Sequence, residues 1–408
     1  MTAALRTVRI GDLGRVVTGK TPPSAQPELF GDLHPFLTPT DIDGFARYIE
    51  PARFLSPEGR DYQQRLMLPE RAVCVVCIGA TIGKVCMTGR PSFTNQQINS
   101  VVVNEDEHDP FFVYQLMTTL RDELKSNAGG AATPIINKTA FSEIEVSVPP
   151  LPIQRRIAGI LSAYDELMEN SQRRIRLLEA MARALYREWF VHFRFPGHEK
   201  FPRVASSLGD IPQGWEVKKL GELTTYLNRG LSPNYDNNGD SMVINQKCIR
   251  DQRLNIEPAR RQTKPVPPDK RVRFGDVLIN STGVGTLGRV AQVYQDLGEC
   301  TVDSHVTIAR TNPETDLDFF GCTLLSHQET FDRLGVGATG QTELSRTSIA
   351  DVDLVVPPTR IQRRFGEFAR PMRAAAMTHA NQMQNLRRTR DLLLPRLLSG
   401  QVELSVEN

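Results

Sequence analysis

The sequence predicts an α+β protein in which two mixed α/β domains form a tandem repeat, separated by two long antiparallel coiled-coil helices with pseudo-two-fold symmetry. Three observations predict this fold. Short motifs recur in the same order in both halves of the chain, β-rich runs alternate with glycine turns inside each half, and a long helical pattern follows each of two double prolines. The expected boundaries are residues 1–150 and 198–358 for the domains, and 151–197 and 359–408 for the helical segments.

The repeat is defined by motifs that keep their order and approximate spacing. Pro-Pro-x-x-Ile-Gln-Arg-Arg stands at residues 149–156 and again at 357–364, an offset of 208. The other matching segments are 10–13 with 220–223, 81–85 with 286–290, 95–98 with 303–306, and 136–138 with 344–346. The residues between these anchors differ, which indicates two modules that do the same kind of task on different targets.

Each domain is expected to mix strands and helices. Residues 72–78 and 276–279 are β-rich and end in turns that contain glycine, and further β-rich runs lie at 100–103 and 306–309. Helical patterns at 111–125 and 319–334 fall between the β-rich segments and the double prolines. Each domain is therefore predicted as an α+β globule.

A long helix is expected after each double proline, because proline is tolerated before a helix and in its first turn but not inside it. Apolar residues then recur at alternating spacings of four and three, which is the seam of a coiled coil. The second seam is weaker, since His379 and Arg390 fall within it. The first helix leads away from one domain and the second returns from the other, so we expect antiparallel pairing. The principal seam residues are Ile157, Leu161, Tyr164, Ile175, Leu178 and Leu185 in the first helix, and Met383, Leu386 and Leu393 in the second.

Composition excludes a membrane protein and a uniformly basic one. The longest apolar run, residues 72–82, is well short of the ~20 residues that span a bilayer, and the start lacks the apolar core of a secretion signal, so a cytoplasmic protein is expected. The net charge is +2, yet Lys and Arg number 14 against 17 Asp and Glu in residues 1–150, and 18 against 20 in residues 201–360. Any contact with nucleic acid must therefore come from local basic loops. The six scattered cysteines are expected to be reduced and buried.

Several motifs resemble those of enzymes but lack a feature that the corresponding enzyme site needs. Residues 283–288 spell G-x-G-x-x-G, but a β-like run follows where a dinucleotide site needs a helix. Residues 79–84 resemble a phosphate loop that is one residue short, and the acidic residues near 210–216 have no counterpart in the first domain. Cys74 and Cys77 lie three apart in a strand and so face opposite sides. We predict no catalytic residue and no metal site.

Three further motifs complete a recognisable set. Trp-Phe-Val-His-Phe closes the first helix at 189–193, Ile-Pro-Gln-Gly-Trp opens the second domain at 211–215, and Leu-Leu-Leu-Pro-Arg-Leu-Leu-Ser-Gly stands at 392–400. Together with the duplicated Pro-Pro motif, they make the chain resemble the DNA-specificity subunits of type I restriction-modification enzymes over nearly its whole length.

The resemblance implies a subunit without chemistry or cofactor of its own. Two target-recognition domains would each bind one half of a split double-stranded DNA site. The helices would set the gap and dock two modification subunits, which methylate adenine with S-adenosylmethionine, and restriction subunits would join the assembly. A helix of about 33 residues is roughly 50 Å long, enough to hold two domains ~34 Å apart, which is one turn of B-DNA.

The residues expected to contact DNA are polar or basic and lie at the matched turns. For each one the alternative is a solvated or turn-stabilising side chain, and the arginine pairs at 155–156 and 363–364 could contact DNA, dock a partner or be solvated. Candidates for phosphate or guanine contacts are Lys20, Thr21, Lys84 and Lys138 in the first domain and Arg229, Arg289 and Arg346 in the second. Candidates for adenine edges are Gln96, Gln97, Asn280 and His305.

Two other functions are weighed against this one. A stand-alone DNA methyltransferase or nuclease would need a cofactor loop and an Asn/Asp-Pro-Pro-aromatic motif, whereas the double prolines here follow Val148 and Val356. A tandem-domain regulator that binds DNA without enzyme partners is the third hypothesis, and co-purification with a methyltransferase separates it from the first.

Overall fold

The fold is that of a computed structural model, which describes residues 5–42, 46–129, 134–337 and 342–402. Its internal contacts divide the chain into two compact units. Unit 1 comprises Met1–Arg173 and Ala380–Asn408, and unit 2 comprises Arg174–His379. Each unit therefore combines one domain with a segment of both long helices.

The first domain is built on an antiparallel sheet of order β2-β9-β6-β7, and a smaller sheet has the order β3-β5-β4-β8. Strand β1 pairs with β10, which brings the two ends of the domain together. All four residues of β6 are buried, as its uninterrupted apolar run predicts. The strands and helices are β1 (Arg6–Arg9), β2 (Gly14–Thr18), β3 (Phe30–Gly31), β4 (His34–Leu37), β5 (Phe54–Leu55), α1 (Pro57–Tyr62), β6 (Val73–Val76), β7 (Val85–Met87), β8 (Phe93–Thr94), β9 (Ile98–Val103), α2 (Pro110–Thr119), α3 (Arg121–Ser126), α4 (Lys138–Ser142) and β10 (Glu145–Val148).

The second domain repeats the main sheet, in the order β14-β22-β19-β20, and its ends are joined by the β13-β23 pair. Its smaller sheet differs, with the order β18-β15-β21. The elements are β11 (Arg203–Val204), β12 (Ile211–Pro212), β13 (Glu216–Lys219), β14 (Thr224–Arg229), β15 (Ser241–Ile244), β16 (Ile249–Arg250), β17 (Arg253–Leu254), β18 (Arg260–Gln262), β19 (Val277–Asn280), β20 (Val290–Gln292), β21 (Cys300–Val302), β22 (Val306–Thr311), α6 (Leu317–Ser326), α7 (Gln328–Arg333), α8 (Arg346–Ala350) and β23 (Asp353–Val356).

The predicted α+β class and tandem repeat are confirmed by these matching sheets. The helical patterns at 111–125 and 319–334 are each broken into two helices, because Leu120 and His327 leave the helical conformation and cap the shorter second helix. The shorter second helices, α3 and α7, pack on the turns that contain Gly83 and Gly288. Gly83 and Gly288 allow their close approach, since a Cβ on either would meet α3 or α7 at less than 3 Å.

The two long helices are α5 (Leu151–Tyr186), which continues as a π-helical turn over Arg187–Val191, and α9 (Thr359–Leu398). In unit 1 the first part of α5 lies against the last part of α9, where Arg390 donates a hydrogen bond to Asp165 at 2.7 Å. In unit 2 the end of α5 lies against the start of α9, with the rings of Tyr186 and Phe365 6.2 Å apart. These are the pairings expected of antiparallel helices. All nine principal seam residues are buried or half-buried.

The repeated glutamine of the Pro-Pro motif fastens each long helix to its own domain. Gln154 Nε2 donates to the Pro149 carbonyl at 2.8 Å, while its Oε1 accepts from the Asp109 backbone N–H at 3.0 Å. Gln362 makes the same two bonds, to Pro357 at 2.7 Å and from Asp316 at 2.9 Å. Both side chains are buried, and each amide is hydrogen-bonded through its nitrogen and its oxygen. These bonds fix the direction in which each long helix leaves its domain.

A domain side chain also pairs with α5 in each unit. In unit 1, Arg47 lies 3.4 Å from Glu169, and burial raises the pKa of that carboxyl. In unit 2, Nε and Nη2 of Arg253 donate to the two oxygens of the Glu179 carboxylate. These ion pairs give the seam between domain and helix a defined register.

The motifs at 189–193 and 211–215 contribute rings to an aromatic cluster in unit 2. The Phe190 ring, from the motif that closes the first helix, lies 5.9 Å from Trp215 of the motif that opens the second domain. It also lies 4.9 Å from Phe319 and 5.0 Å from Phe365. Ring pairs at these distances stabilise the fold beyond the contribution of burying their apolar surface. The motifs are therefore explained by packing.

The cysteines lie in apolar surroundings. Burial raises the pKa of Cys77 and Cys248 to about 11 and that of Cys300 and Cys322 to about 12. These four thiols therefore stay protonated at neutral pH. Within the described ranges, no helix is long and apolar enough to cross a membrane.

Candidate nucleic-acid interface

One end of the main sheet in unit 1 gathers the loops that carry the predicted residues. Strand β2 ends at Thr18, opposite Asn99 near the start of β9, and β6 ends at Val76, opposite Ile98. The loops 18–21, 77–84 and 94–97 therefore emerge at the same end, and 134–138 joins them through a hydrogen bond from the Ile136 N–H to the Cys77 carbonyl. We call this set of loops the loop end of unit 1.

Three of the predicted residues present polar groups there. Lys20, Gln96 and Lys138 are all exposed. Thr21 Oγ1 donates a hydrogen bond of 2.7 Å to Gln96 Oε1, which leaves the amide NH₂ of Gln96 as an available donor. Lys20 Nζ lies 5.6 Å from the centre of the Tyr62 ring. The described part of the loop end therefore offers donors to an anionic or acceptor-rich ligand.

Lys84 and Gln97 are positioned differently, because both are half-buried and bonded to the protein itself. Lys84 Nζ donates to the backbone carbonyl of Ile42. Gln97 Oε1 accepts from Asn95 Nδ2 at 2.9 Å. In this conformation Lys84 joins its loop to another segment and Gln97 bonds within its own turn, which is the turn-stabilising alternative stated for them.

Unit 2 has an equivalent loop end, formed by 229–231, 281–289, 303–305 and 342–346. The Ser281 N–H donates to the His305 carbonyl, and the Leu344 N–H donates to the Ser281 carbonyl, both at 2.8 Å. Ser281 thus occupies the position that Cys77 has in unit 1. The structure brings Arg229, Arg289, His305 and Arg346 to this end.

Arg229 and Arg346 line one open groove of about 540 Å³. Arg229 is half-buried, pairs with Glu343 at 2.6 Å and donates to the Leu344 carbonyl at 2.9 Å. Arg346 is exposed, and its Nη1 donates to Asn228 Oδ1 at 2.9 Å. Lys270 also lines the groove and donates to the Gly230 carbonyl at 3.1 Å. Among the described residues, most of the N–H donors of Arg346 are therefore left for a ligand.

His305 and Arg289 flank a turn between β19 and β20. His305 is exposed, and its Nδ1 lies 2.8 Å from Thr282 Oγ1. Gln246 Nε2 donates to that same hydroxyl, which leaves the hydroxyl proton available for Nδ1 when the ring carries its own proton on Nε2. Arg289 is half-buried and donates to the Gly285 carbonyl at 2.7 Å. His305 can thus donate outward, while Arg289 mainly supports the turn.

Asn280 is not positioned to contact a base. Its side chain is 0% exposed, and Nδ2 donates to the Gln246 carbonyl at 3.2 Å. The residue ends β19 in the interior of unit 2, so the amide joins two segments of the domain. We therefore remove Asn280 from the candidate set, since a side chain with no exposed surface cannot reach a base edge.

Two residues near the loop end of unit 2, Lys270 and Asp303, were not among the residues predicted from the sequence. Lys270 lies in a loop that has no matching anchor in the first domain, so the repeat gave no signal for it. Asp303 did have a signal, since it matches Asn95 of the first domain. Its carboxylate accepts from the His305 N–H at 2.9 Å, as Asn95 Oδ1 accepts from Gln97, and burial raises the pKa of Asp303. Asn95 and Asp303 therefore each shape the turn that carries the polar residue two positions later, Gln97 or His305.

No group of three or more His, Cys, Asp or Glu side chains within the described residues could hold a metal ion. Each of the two loop ends presents its own exposed hydrogen-bond donors on turns. Such a set can contact phosphates and base edges through hydrogen bonds.

Comparison with a family model gives a match over most of the chain. The model is described as the type I restriction modification DNA specificity domain, and it matches residues 5–180 and 212–382. Two separate matches of similar length agree with the two repeated domains.

Individual relatives agree with this match. The chain is 25% identical over 410 residues to the type I restriction enzyme MjaIX specificity subunit of Methanocaldococcus jannaschii, covering 98% of this chain and 93% of the relative. It is 35% identical over 178 residues to the HindI specificity subunit of Haemophilus influenzae, covering 42% and 38%. The fold is similar to that of a type I restriction-modification system S subunit from M. genitalium, with a TM-score of 0.59, 15% identity, and coverage of 99% and 97%.

Proposed function

The chain belongs to the type I restriction modification DNA specificity family, and on this premise we propose how its two domains recognise DNA. The family assignment makes it a DNA-recognition subunit that needs no cofactor itself, and it favours this role over a stand-alone methyltransferase, a nuclease or a regulator. We propose that residues 1–150 and 198–358 each bind one half of a split DNA site. The segments 151–197 and 359–408 act as the spacer.

The observation that carries the proposal is the presence of two equivalent loop ends with different side chains. The main sheets share one strand order, whereas the exposed donors differ: Lys20, Gln96 and Lys138 in unit 1, and His305 and Arg346 in unit 2. Equivalent backbones with different donors suit two modules that recognise different half-sites by direct contact. Thr21, Lys84, Gln97, Arg229 and Arg289 support these turns and remain within reach of phosphates.

We propose that the long helices dock the enzymatic partners. Large apolar side chains are exposed on them, namely Leu167 and Leu392 in unit 1 and Leu177 and Met181 in unit 2. Exposed apolar groups along a helix suit a partner that buries them, and two sets of them suit two modification subunits. Those subunits would bind S-adenosylmethionine and methylate adenine, and restriction subunits would join the same assembly. Because the DNA partner is the genome, the complex would work in the cytoplasm.

The experiment is to map N6-methyladenine across the host genome with and without this gene, while the modification gene is kept. We expect one two-part motif with a fixed gap to lose its methylation when the gene is deleted and to regain it when the gene is restored. Methylation that persists without the gene, or an ungapped target motif, would contradict the proposal.

A further inference from the structure

The turn between β19 and β20 in unit 2 has a backbone that favours glycine at three positions. Gly283, Gly285 and Gly288 have φ angles of +101°, +69° and +76°. A Cβ on Gly288 would also come within 2.4 Å of the Asp332 backbone nitrogen. Glycine therefore permits the left-handed conformation of this turn, and close packing of Gly288 on α7 constrains the end of the turn.

Side chains from other segments hold the same turn. Gln246 Nε2 donates to both the carbonyl and the hydroxyl of Thr282, where the turn begins. Leu287 is buried on the inner side, and Arg289 donates to the Gly285 carbonyl at 2.7 Å where the turn ends. A turn that is bonded at both ends presents its outermost residue in a defined place.

That outermost residue is a valine. Val284 is 77% exposed, the highest value among the large hydrophobic side chains of the described residues, and Val336 follows at 74%. The next value is 59%, for Leu392 on α9. Val336 pairs with Glu343, which pairs with Thr282 at the start of the turn, so Val336 belongs to a segment that borders the loop end of unit 2.

Exposure on this scale gives Val284 no role in the stability of the fold. Single exposed apolar residues are common on protein surfaces and need no explanation by themselves. Here, however, the residue stands on a turn that is hydrogen-bonded at both ends, on the loop end that carries His305 and Arg346. An apolar group among hydrogen-bond donors is the complement of a major groove, where the thymine 5-methyl group is the apolar feature of the base edges.

We propose that Val284 contacts the 5-methyl group of a thymine in the half-site bound by the second domain, and so determines one base pair of the target. This rests on the proposed function, since it requires the loop end to lie on DNA. In the first domain the corresponding turn, residues 79–83, is one residue shorter and carries Ala80, which reaches less far. The two domains would therefore differ in how they detect thymine.

The test uses the whole complex of this chain with its modification subunits, bound to duplexes that contain the mapped site. Each thymine of the second half-site, on either strand, is replaced in turn by deoxyuridine, which removes only the 5-methyl group. For the unaltered chain we expect one position where this replacement weakens binding about fourfold, the effect of one methyl group leaving an apolar contact.

Two variants make the test specific. Val284→Ala should bind the normal duplex more weakly and should lose the response to deoxyuridine at that one position. Val204→Ala, in β11, is the control, because Val204 is also an exposed valine, at 38%, but lies outside the loop end. It should respond to deoxyuridine as the unaltered chain does.

Three results would overturn the inference: a second half-site without any A·T pair, no thymine whose replacement weakens binding, or a response that survives in Val284→Ala. In each case methylation can still require both half-sites, so the proposed function would stand. If deletion of the gene leaves methylation unchanged, the proposed function itself has failed.

Discussion

At the scale of single residues, what decides a role at the loop ends is whether a side chain's donors are already used. Lys84 and Arg229 donate to backbone carbonyls of their own domain. Lys138 and Arg346 occupy equivalent positions, one residue after the capping residues Asn137 and Ser345, and both are exposed. This pair therefore offers the most direct test of DNA contact in the two domains.

We expect Lys138→Ala and Arg346→Ala each to weaken the binding of the complex to specific and non-specific DNA alike. A cation that contacts a phosphate releases a counterion, so each substitution should also reduce the slope of log affinity against log salt by about 1. The measurement is a titration of labelled duplex at several salt concentrations.

The control for this pair is Arg250→Ala, since Arg250 is an exposed arginine of unit 2 that lies outside the loop end. It should leave both affinity and salt slope unchanged. If Lys138→Ala and Arg346→Ala behave like this control, these residues do not touch DNA. A loss confined to one base pair, with no change of slope, would assign the side chain to a base edge instead.

At the scale of elements, the long helices combine an apolar seam with polar fasteners. The seam residues are buried or half-buried, and Arg390, which weakens the pattern in the sequence, is paired with Asp165. In unit 2, Trp189 lies against Phe365 with ring centres 6.0 Å apart. Counting back along α5 from this contact places Leu178 at the level of Ala376 in the antiparallel partner.

This pairing determines where the spacer can be lengthened. Seven residues inserted after Leu178 and seven after Ala376 keep both seams in phase and add about 10 Å to each helix. At ~3.4 Å per base pair, we expect the gap in the methylated motif to grow by roughly three base pairs. Activity should fall, because three base pairs also rotate the second half-site by nearly a third of a turn. Methylome sequencing measures both effects.

The control for the spacer is a seven-residue insertion after Leu178 alone. It lengthens one member of the antiparallel pair, so the helices cannot stay in register and methylation should be lost. If the doubly lengthened chain still methylates the original motif at full rate, with its original gap, the helices do not set the spacing.

At the scale of the whole molecule, the chain repeats a frame and varies what the frame carries. Both domains have the same main sheet and the same glutamine fastener to a long helix, while their smaller sheets differ in strand order. Exposed apolar residues occur on the helices in both units. The repeat therefore predicts two docking surfaces for modification subunits.

We expect a saturated complex to contain two modification subunits for each copy of this chain. Replacing Leu177 and Met181 together by glutamate should remove one of them, because the change puts charge into the apolar surface of unit 2 alone. Native mass spectrometry gives the composition directly, and the unaltered surface of unit 1 serves as the internal control. A single subunit bound to the unaltered chain, or two bound to the variant, would contradict the two-surface arrangement.

Much of this arrangement was predictable from local patterns. The double prolines predict where both long helices begin, and the alternating apolar spacing identifies their seam. The repeated motifs indicate two domains of one fold. These features depend on residues close together in the chain, where the geometry of a helix or strand is enough to interpret them. The family resemblance follows from the same short motifs.

Only the tertiary structure decided which candidate residues can meet DNA. Asn280, Lys84 and His305 look alike in the sequence as polar residues near matched turns, yet the first is buried, the second is bonded to Ile42 and the third is exposed. Each outcome depends on a contact with a segment distant in the chain, such as the Gln246 carbonyl that Asn280 binds. Exposure is a property of how segments pack, and a one-dimensional pattern does not contain it.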